Sequence, residues 1–150
     1  MQKNIQFGVD YYPEHWERSR WETDYQMMKE LGMDVVRLAE FSWSLLEPSD
    51  GVFAFDWLEE AVDLAQSYGI KVVLGTPTAA PPAWLIAKHP EIQPVDHEGH
   101  THYFGGRHHD CQSNPVYRQY IARYVTAFTQ RFGQHENVIG WQVDNELGNS

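Results

Sequence analysis

Short runs of apolar, often β-branched residues recur along the chain and predict buried β-strands. These runs cover residues 7–12, 35–38, 72–74 and 138–143. Longer segments between the runs carry apolar residues at helical spacing, which predicts three helices that each bury one face. The predicted core positions are Trp21, Tyr25, Met28 and Leu31, then Leu58, Ala61, Ala65 and Tyr68, and finally Tyr117, Ile121, Tyr124 and Phe128. Apolar strands that alternate with helices are typical of a parallel sheet covered on both sides.

The ends of the predicted helices carry start and stop signals. A glycine follows each helix, at Gly32, Gly69 and, in a looser copy, Gly133. Glycine accepts the left-handed conformation that closes many helices. The predicted N-caps are Ser19 and Asp56, each opening a capping box, and Asn114, which precedes a proline. These signals indicate one αβ unit that is used repeatedly.

The order of elements suits either an open doubly wound sheet or half of a (β/α)8 barrel. A nucleotide-binding doubly wound sheet needs a glycine-rich loop after its first strand, but residues 11–16 are bulky and aromatic. Polar and aromatic groups also follow the second strand, at residues 40–43, and the third, at residues 76–84. Such segments would gather on the rim where barrels carry their functional loops. The predicted fold class is therefore α/β, a (β/α)8 TIM barrel of which this chain covers roughly the first four βα units.

Composition and charge limit the class of protein. With 42% hydrophobic and 14% aromatic residues, the 150 residues predict a folded globular domain. The aromatic excess suits a carbohydrate site, because sugar C–H faces pack on rings, but aromatic side chains also fill cores. The formal charge of -10 argues against nucleic acid or an anionic membrane as a partner. A neutral or small ligand is expected.

Nothing in the sequence calls for an oxidising compartment or a membrane. The single cysteine, Cys111, cannot form an internal disulfide. Residues 1–6 lack the apolar segment of a signal peptide, and no stretch has the length of a membrane span. We therefore expect a soluble, cytoplasmic protein.

Residues 88–113 break the alternation of strands and helices. This long segment is predicted to be functional, and it contains His89, His97, His100, His102, His108 and His109. The spacing fits neither the His-Glu-x-x-His motif nor a Cys/His zinc pattern, so a catalytic metal is the weaker interpretation.

The fourth predicted strand runs directly into Asp144, Asn145 and Glu146. Loops at the carboxyl ends of parallel strands carry catalytic groups in α/β enzymes, which favours a catalytic carboxyl here. The alternative is that Asp144 and Asn145 cap a following helix and Glu146 lies in its first turn.

Five segments, taken in chain order, share a pattern with a known family. They are residues 7–14, 37–43, 76–85, 105–107 and 141–146. Together they resemble the amino-terminal half of the family 42 glycoside hydrolases, the β-galactosidases. The resemblance extends over essentially the whole chain, and residues 1–150 would be the amino-terminal part of a truncated (β/α)8 catalytic domain. It implies a retaining hydrolase that acts on terminal β-D-galactosyl residues and needs no cofactor for catalysis.

The resemblance also implies roles for individual residues. Glu146 resembles the family's general acid/base, Asn145 the neighbour that holds the sugar 2-hydroxyl, and Arg107 an arginine that contacts the substrate. Arg37 resembles the arginine that steadies the nucleophile in related barrels, with a plain ion pair as the alternative. Cys111 resembles one of four cysteines that hold a structural zinc in some members, with the other three beyond residue 150; the alternative is a buried thiol. Family members are often trimers, so a homo-oligomer is expected.

Retaining glycoside hydrolysis needs two carboxyl groups about 5–5.5 Å apart. One protonates the leaving group and later acts as a base, while the other attacks the anomeric carbon. In the family the nucleophile is a glutamate near the end of the seventh strand, and such a barrel needs about 250 residues. The sequence ends at Ser150. We therefore expect a truncated piece that is inactive alone and exposes the edges of its first and fourth strands.

Three alternative functions stay open. Another barrel glycosidase with the same Asn-Glu ending, such as a β-glucanase or β-mannanase, would differ in its substrates. A non-catalytic sugar-binding or assembly fragment would bind without turnover. A metal-dependent enzyme built on the histidine-rich segment would lose activity with a chelator.

Overall fold

The computed structural model describes residues 5–105 and 108–146. Its strands are β1 (Gly8–Asp10), β2 (Val35–Leu38), β3 (Lys71–Gly75) and β4 (Val138–Gln142). Its α-helices are α1 (Trp21–Glu30), α2 (Trp43–Leu46), α3 (Asp56–Ser67), α4 (Ala83–Lys88) and α5 (Pro115–Phe132). Single 3-10 turns lie at Pro13–His15, Arg18–Arg20, Pro77–Ala79 and Pro90–Ile92. The predicted alternation is confirmed, and the short helices α2 and α4 are additions that periodicity did not reveal.

The four strands form one parallel sheet in the order β1-β2-β3-β4. Each strand pairs with the next one along the chain, with Val9 beside Val36 and Arg37 beside Val73. Parallel neighbours joined through helices are the repeated unit that the sequence predicted. The carboxyl ends of all four strands consequently lie along one edge. No helix in the described part of the chain is long and apolar enough to cross a membrane.

The helices pack on one face of this sheet. The strand side chains that are fully or almost fully buried against them are Val36, Leu38, Val72 and Leu74. The alternate positions are less buried, and all three residues of β1 are exposed. The prediction of strands buried on both faces is therefore wrong within the described residues, because no described element covers the second face. The exposure of β1 and of Ile139 in β4, at 47%, confirms the expectation for an open half-barrel.

The helical stripes form the core, as predicted, with one exception. Leu31 is 67% exposed because α1 ends at Glu30 and the leucine lies beyond the last turn. The aromatic side chains at the centre of the core are Trp43, Phe55, Tyr117, Tyr124, Phe128 and Phe132. They pack closely, with the ring centroids of Trp43 and Tyr124 4.9 Å apart. Much of the aromatic excess therefore fills the core.

The helix ends divide into correct and incorrect predictions. Gly32 and Gly69 both have a φ of +75°, which confirms the left-handed ends of α1 and α3. Gly133 has a φ of -66°, so the left-handed end predicted there is wrong. A larger residue would not fit at this position, because an added Cβ would lie 2.5 Å from the Thr129 carbonyl oxygen. Among the N-caps, the Asn114 side chain does accept from the backbone N–H groups of Val116 and Tyr117.

The two capping boxes are wrong. Ser19 lies inside the 3-10 turn Arg18–Arg20, which continues directly into α1. The N-cap position of that helix is Arg20, and its backbone is already helical. Asp56 is the first residue of α3 and follows Phe55 at the N-cap, where the structure has no side-chain cap.

Strand β4 carries one extra residue relative to β3. Val138 pairs with Val72 and Gly140 pairs with Val73, so Ile139 has no counterpart. Val138 and Trp141 both pack against the core although they are three residues apart. In a regular strand such residues point to opposite faces. The bulge at Ile139 resolves this conflict and sets the direction of the residues that follow.

Candidate active site

Polar side chains follow each strand where it reaches the common edge. They comprise Tyr12 and Glu14 after β1, Glu40 and Ser42 after β2, Thr76 and Thr78 after β3, and Asp144, Asn145 and Glu146 after β4. The parallel arrangement explains this gathering, since segments far apart in sequence leave the sheet at the same end. This edge is the candidate active site.

Arg37 anchors a network at the β1 and β2 end of the site. Its Nη2 atom lies 2.6 Å from Asp10 Oδ2 and 2.5 Å from Glu40 Oε2. The Tyr12 hydroxyl donates to Glu40 Oε1. Glu40 is only 4% exposed, so its negative charge is balanced by a cation and a hydroxyl donor. The ion pair expected for Arg37 is thus present, and its contact with a nucleophile stays a prediction.

The phenol of Tyr12 is held in its protonated form. Burial and the hydrogen bond to Glu40 raise the pKa of Tyr12 to about 12. The ring also stacks on His15 at 5.3 Å and on Phe41 at 6.4 Å between centroids. Tyr12 therefore acts as a fixed hydrogen-bond donor. Its ring stacks on His15 and Phe41, and its hydroxyl is bonded to the Glu40 carboxylate.

The turn after β4 has an unusual backbone. Asp144 has a φ of +59° and Glu146 a φ of +51°, both in the left-handed region. A residue in the first turn of a helix has a negative φ, so the helix-cap interpretation of this segment is wrong for Glu146. Asp144 and Asn145 are 4% and 9% exposed, whereas Glu146 is exposed. Glu146 thus lies at the surface of the turn, while the two residues before it are buried.

Asp144 is surrounded by hydrogen-bond donors. Its Oδ2 accepts from Thr78 Oγ1 at 2.5 Å and from Gln112 Nε2 at 3.3 Å, and its Oδ1 accepts from the Asn145 N–H at 2.6 Å. Its own N–H donates to Thr76 Oγ1 at 2.7 Å. These contacts have no signal along the chain, because Thr78 and Asp144 are 66 positions apart.

A second buried carboxyl, Asp110, lies near Asp144. Gln112 Nε2 donates to Asp110 Oδ2 at 2.8 Å and thereby joins the two carboxyl groups. Burial, and after it the negative charge of Asp144, raises the pKa of Asp110 to about 7. In the sequence, the histidines of residues 88–113 were the candidate functional groups of this segment. The fold instead brings Asp110 to the site.

The remaining predicted site residues are placed as follows. Arg107 lies outside the described residues. Asn145 accepts from Gln142 Nε2 at 3.2 Å through its side-chain oxygen, next to Glu146. Cys111 is half-buried and follows Asp110 directly.

The zinc predicted at Cys111 would have its other three ligands beyond residue 150, so the described residues do not test it. A structural zinc needs four protein ligands, of which thiolates and imidazoles are the common ones. Across residues 5–105 and 108–146, no group of three or more His, Cys, Asp or Glu side chains is placed to hold a metal ion. The only cysteine in the sequence is Cys111. Zinc binding by Cys111 therefore stays a prediction.

Comparison with known proteins decides the family. The model of glycoside hydrolase family 42, described as beta-galactosidase, matches residues 10–150. The chain belongs to glycoside hydrolase family 42. A beta-galactosidase of Thermus thermophilus is 52% identical over 141 residues, which make up 94% of this chain and 22% of that protein. Residues 1–150 therefore span about a fifth of the length of such a relative.

Solved family 42 structures confirm the fold. The beta-galactosidase from the psychrophilic Marinomonas ef1 superposes with a TM-score of 0.94 at 46% identity, over 97% of this chain and 22% of that one. A family 42 beta-galactosidase from G. stearothermophilus was solved as a catalytic mutant in which a glutamate is replaced by alanine. It superposes with a TM-score of 0.91 at 35% identity, over 95% of this chain and 21% of that one. The four-stranded sheet corresponds to the amino-terminal part of the family 42 TIM barrel.

Proposed function

We propose that the complete protein is a retaining β-galactosidase and that Glu146 is its general acid/base. The observation that carries the proposal is the position of Glu146, an exposed residue directly after β4 in a family 42 chain. The relatives named beta-galactosidase support a β-galactoside as the substrate. Cytoplasmic location and a homo-oligomer, such as a trimer, stay predictions.

The proposed mechanism uses two carboxyl groups in two steps. Glu146 protonates the glycosidic oxygen while a glutamate outside residues 1–150 attacks the anomeric carbon and forms a glycosyl-enzyme. Glu146, now ionised, removes a proton from water, which releases galactose with its original configuration. The relative with a glutamate-to-alanine catalytic mutation supports a glutamate in such a role.

The other proposed binding groups act on the sugar. Asn145 is placed beside Glu146 and would hold the 2-hydroxyl, a contact that strengthens as the ring gains oxocarbenium character. Arg107 is proposed as a second substrate contact. Arg37, fixed by Asp10 and Glu40, is proposed to orient the nucleophile. A polypeptide of residues 1–150 alone lacks the proposed nucleophile, and we expect it to show no hydrolysis.

The test compares substrates that differ in how much protonation their leaving group needs. In the complete protein, Glu146→Gln should reduce hydrolysis of lactose by about 100-fold or more and of dinitrophenyl β-galactoside far less, because a good leaving group departs without an acid. Glu136→Gln, which changes an exposed carboxyl near the opposite end of β4, is the control and should leave both rates unchanged. Equal losses on the two substrates would refute the assignment of Glu146.

A second measurement tests the stereochemistry and the choice of substrate. NMR of the first product should show β-galactose, and azide should restore turnover of the activated substrate in Glu146→Gly with formation of β-galactosyl azide. An α-configured first product would refute a retaining mechanism. Faster turnover of β-glucans or β-mannans than of β-galactosides would favour another barrel glycosidase, and binding without any turnover would favour a non-catalytic module.

A further inference from the structure

Two buried threonines after β3 hold the turn that follows β4. We infer that Thr76 and Thr78 are positioning residues for the general acid, acting through Asp144 on the placement of Glu146. The inference rests on the proposed function, since it assigns the threonines to the same reaction. Neither threonine needs to touch the substrate for this role.

Thr76 and Thr78 hold Asp144 at two groups, its backbone N–H and its carboxylate, and we call this pair of contacts the clamp. Thr76 Oγ1 accepts from the backbone N–H of Asp144 at 2.7 Å, and Thr78 Oγ1 donates to the Asp144 carboxylate at 2.5 Å. The two threonine hydroxyls are 3.4 Å apart. The Thr76 N–H also donates to the Gln142 carbonyl at 2.9 Å, which is the last backbone bond between this segment and β4. The clamp therefore begins where the strand pairing stops.

The turn needs such a clamp because its backbone is strained. Asp144 and Glu146 both adopt the left-handed region, which costs free energy for residues other than glycine. Such conformations persist where the surroundings over-determine them. The Asp144 carboxylate also accepts from the Asn145 N–H at 2.6 Å, so it fixes the next residue as well. With its oxygens engaged and only 4% exposure, Asp144 serves the turn and is not presented to a substrate.

The clamp is tied to the rigid core. Thr78 is 3% exposed, and its carbonyl accepts from the hydroxyl of Tyr117, a fully buried residue of α5. Tyr117 in turn packs on Trp43, with ring centroids 6.1 Å apart. These contacts fix Asp144 relative to the helices that form the core. The short turn from Asp144 then determines the position of Glu146.

The consequence for catalysis is one of placement. A misplacement of about 1 Å in a catalytic group can cost on the order of 100-fold in rate. Thr78→Val keeps the shape of the side chain and removes the donor, so it releases one end of the clamp. We expect a 10- to 100-fold loss on lactose and at most a few-fold loss on dinitrophenyl β-galactoside. Thr78→Ser keeps the hydroxyl and should restore most of the lactose rate.

The experiment uses the complete protein and three matched comparisons. Thr129→Val is the control for replacing threonine, since Thr129 is exposed on α5 and its hydroxyl donates to the carbonyls of Val125 and Thr126 in its own helix. Glu146→Gln is run in parallel and reports on the proposed function. Gln112→Leu removes the other side-chain donor to Asp144 Oδ2 from an exposed position and serves as the test if Thr78→Val does not fold. It should give the same selective loss, reduced to a few-fold.

The outcomes separate the two proposals. A loss in Thr78→Val that is selective for lactose and is rescued by serine supports the positioning role. An equal loss on both substrates, or no loss, in a protein whose Glu146→Gln variant is selective overturns the positioning role alone. A Glu146→Gln variant without selectivity overturns the proposed function, and the positioning role with it.

Discussion

A methyl group on Gly75 would lie 2.6 Å from the Cβ and 2.7 Å from the Cα of Glu40. The end of β3 therefore packs directly on the backbone of the residue whose carboxylate holds Arg37 and Tyr12. Ala39, just before Glu40, has a φ of +75°, so the chain leaves β2 through a constrained turn into this contact. Glycine at position 75 is what lets the two strand ends approach.

Gly75→Ala should therefore damage both stability and activity. The clash involves backbone atoms that cannot rotate away, and we expect a loss of about 1–3 kcal/mol in the free energy of unfolding. Gly140→Ala in β4 is the matched control, because its added Cβ would meet only Val73 Cγ2 at an ordinary 3.8 Å. Denaturant unfolding and lactose hydrolysis of the two variants would be compared. Equal stability of the two would contradict the close packing of Glu40 on Gly75.

Glu47 is a carboxylate with no exposed surface, located at the end of α2. It accepts from Trp43 Nε1 at 2.8 Å, from the Gly51 N–H at 2.8 Å and from the guanidinium of Arg123. Arg123→Met would leave this buried charge without its cation. We expect a loss of about 2–3 kcal/mol in the free energy of unfolding, since two donors remain and Arg123 itself is partly exposed.

Arg131 provides the control for this substitution on the same helix. It pairs with Asp56 and Glu59, whose side chains are 95% and 35% exposed. Exposed pairs contribute little, so Arg131→Met should change the free energy of unfolding far less than Arg123→Met does. The shift in denaturant midpoint of each variant is the measurement. Similar shifts in the two variants would show that the burial of Glu47 does not increase the contribution of its pair with Arg123 to the free energy of unfolding.

Tyr12 gives the protein a defined response to alkaline pH. Its pKa is raised from 10.0 to about 12, first by burial and then by the hydrogen bond to Glu40. The folded state therefore binds the phenolic proton more tightly than the unfolded state does. The associated stability is fully present below about pH 10 and is lost as the pH rises toward about 12.

Absorbance titration of tyrosinate tests this assignment. Tyr12→Phe should remove a step near pH 12, and Glu40→Gln should move that step to lower pH because the negative charge is gone while burial remains. The slope of unfolding free energy against pH should also become shallower between pH 10 and 12 in Tyr12→Phe. A titration curve unaltered by both substitutions would contradict the Tyr12–Glu40 interaction.

The features that local sequence determines were predictable. Gly32 and Gly69 close their helices as expected because the left-handed conformation is a property of one residue. Asn114 caps α5 because its side chain reaches only two and three residues ahead. The same local reasoning gave a wrong N-cap at Ser19. A 3-10 turn precedes α1 there, so the capping motif does not lie at the start of the helix.

The features that depend on tertiary contacts were not predictable from the residues themselves. The type and place of Glu146 followed from a strand that ends in polar groups and from the resemblance to a family. The threonines that fix Asp144 come from another strand end, and Asp110 becomes prominent only because the fold buries it near a second carboxylate. No spacing along one chain encodes such pairs.

The extra residue in β4 places a constraint on chain length. Side chains of a strand change faces with every residue, so removing Ile139 would carry Trp141 away from the core and turn the segment from Gln142 to Glu146 by half a rotation. Ile139 itself is 47% exposed, and many side chains could replace it. At this position the count of residues carries more information than their identity, and a library of variants would accept substitutions there while rejecting deletions.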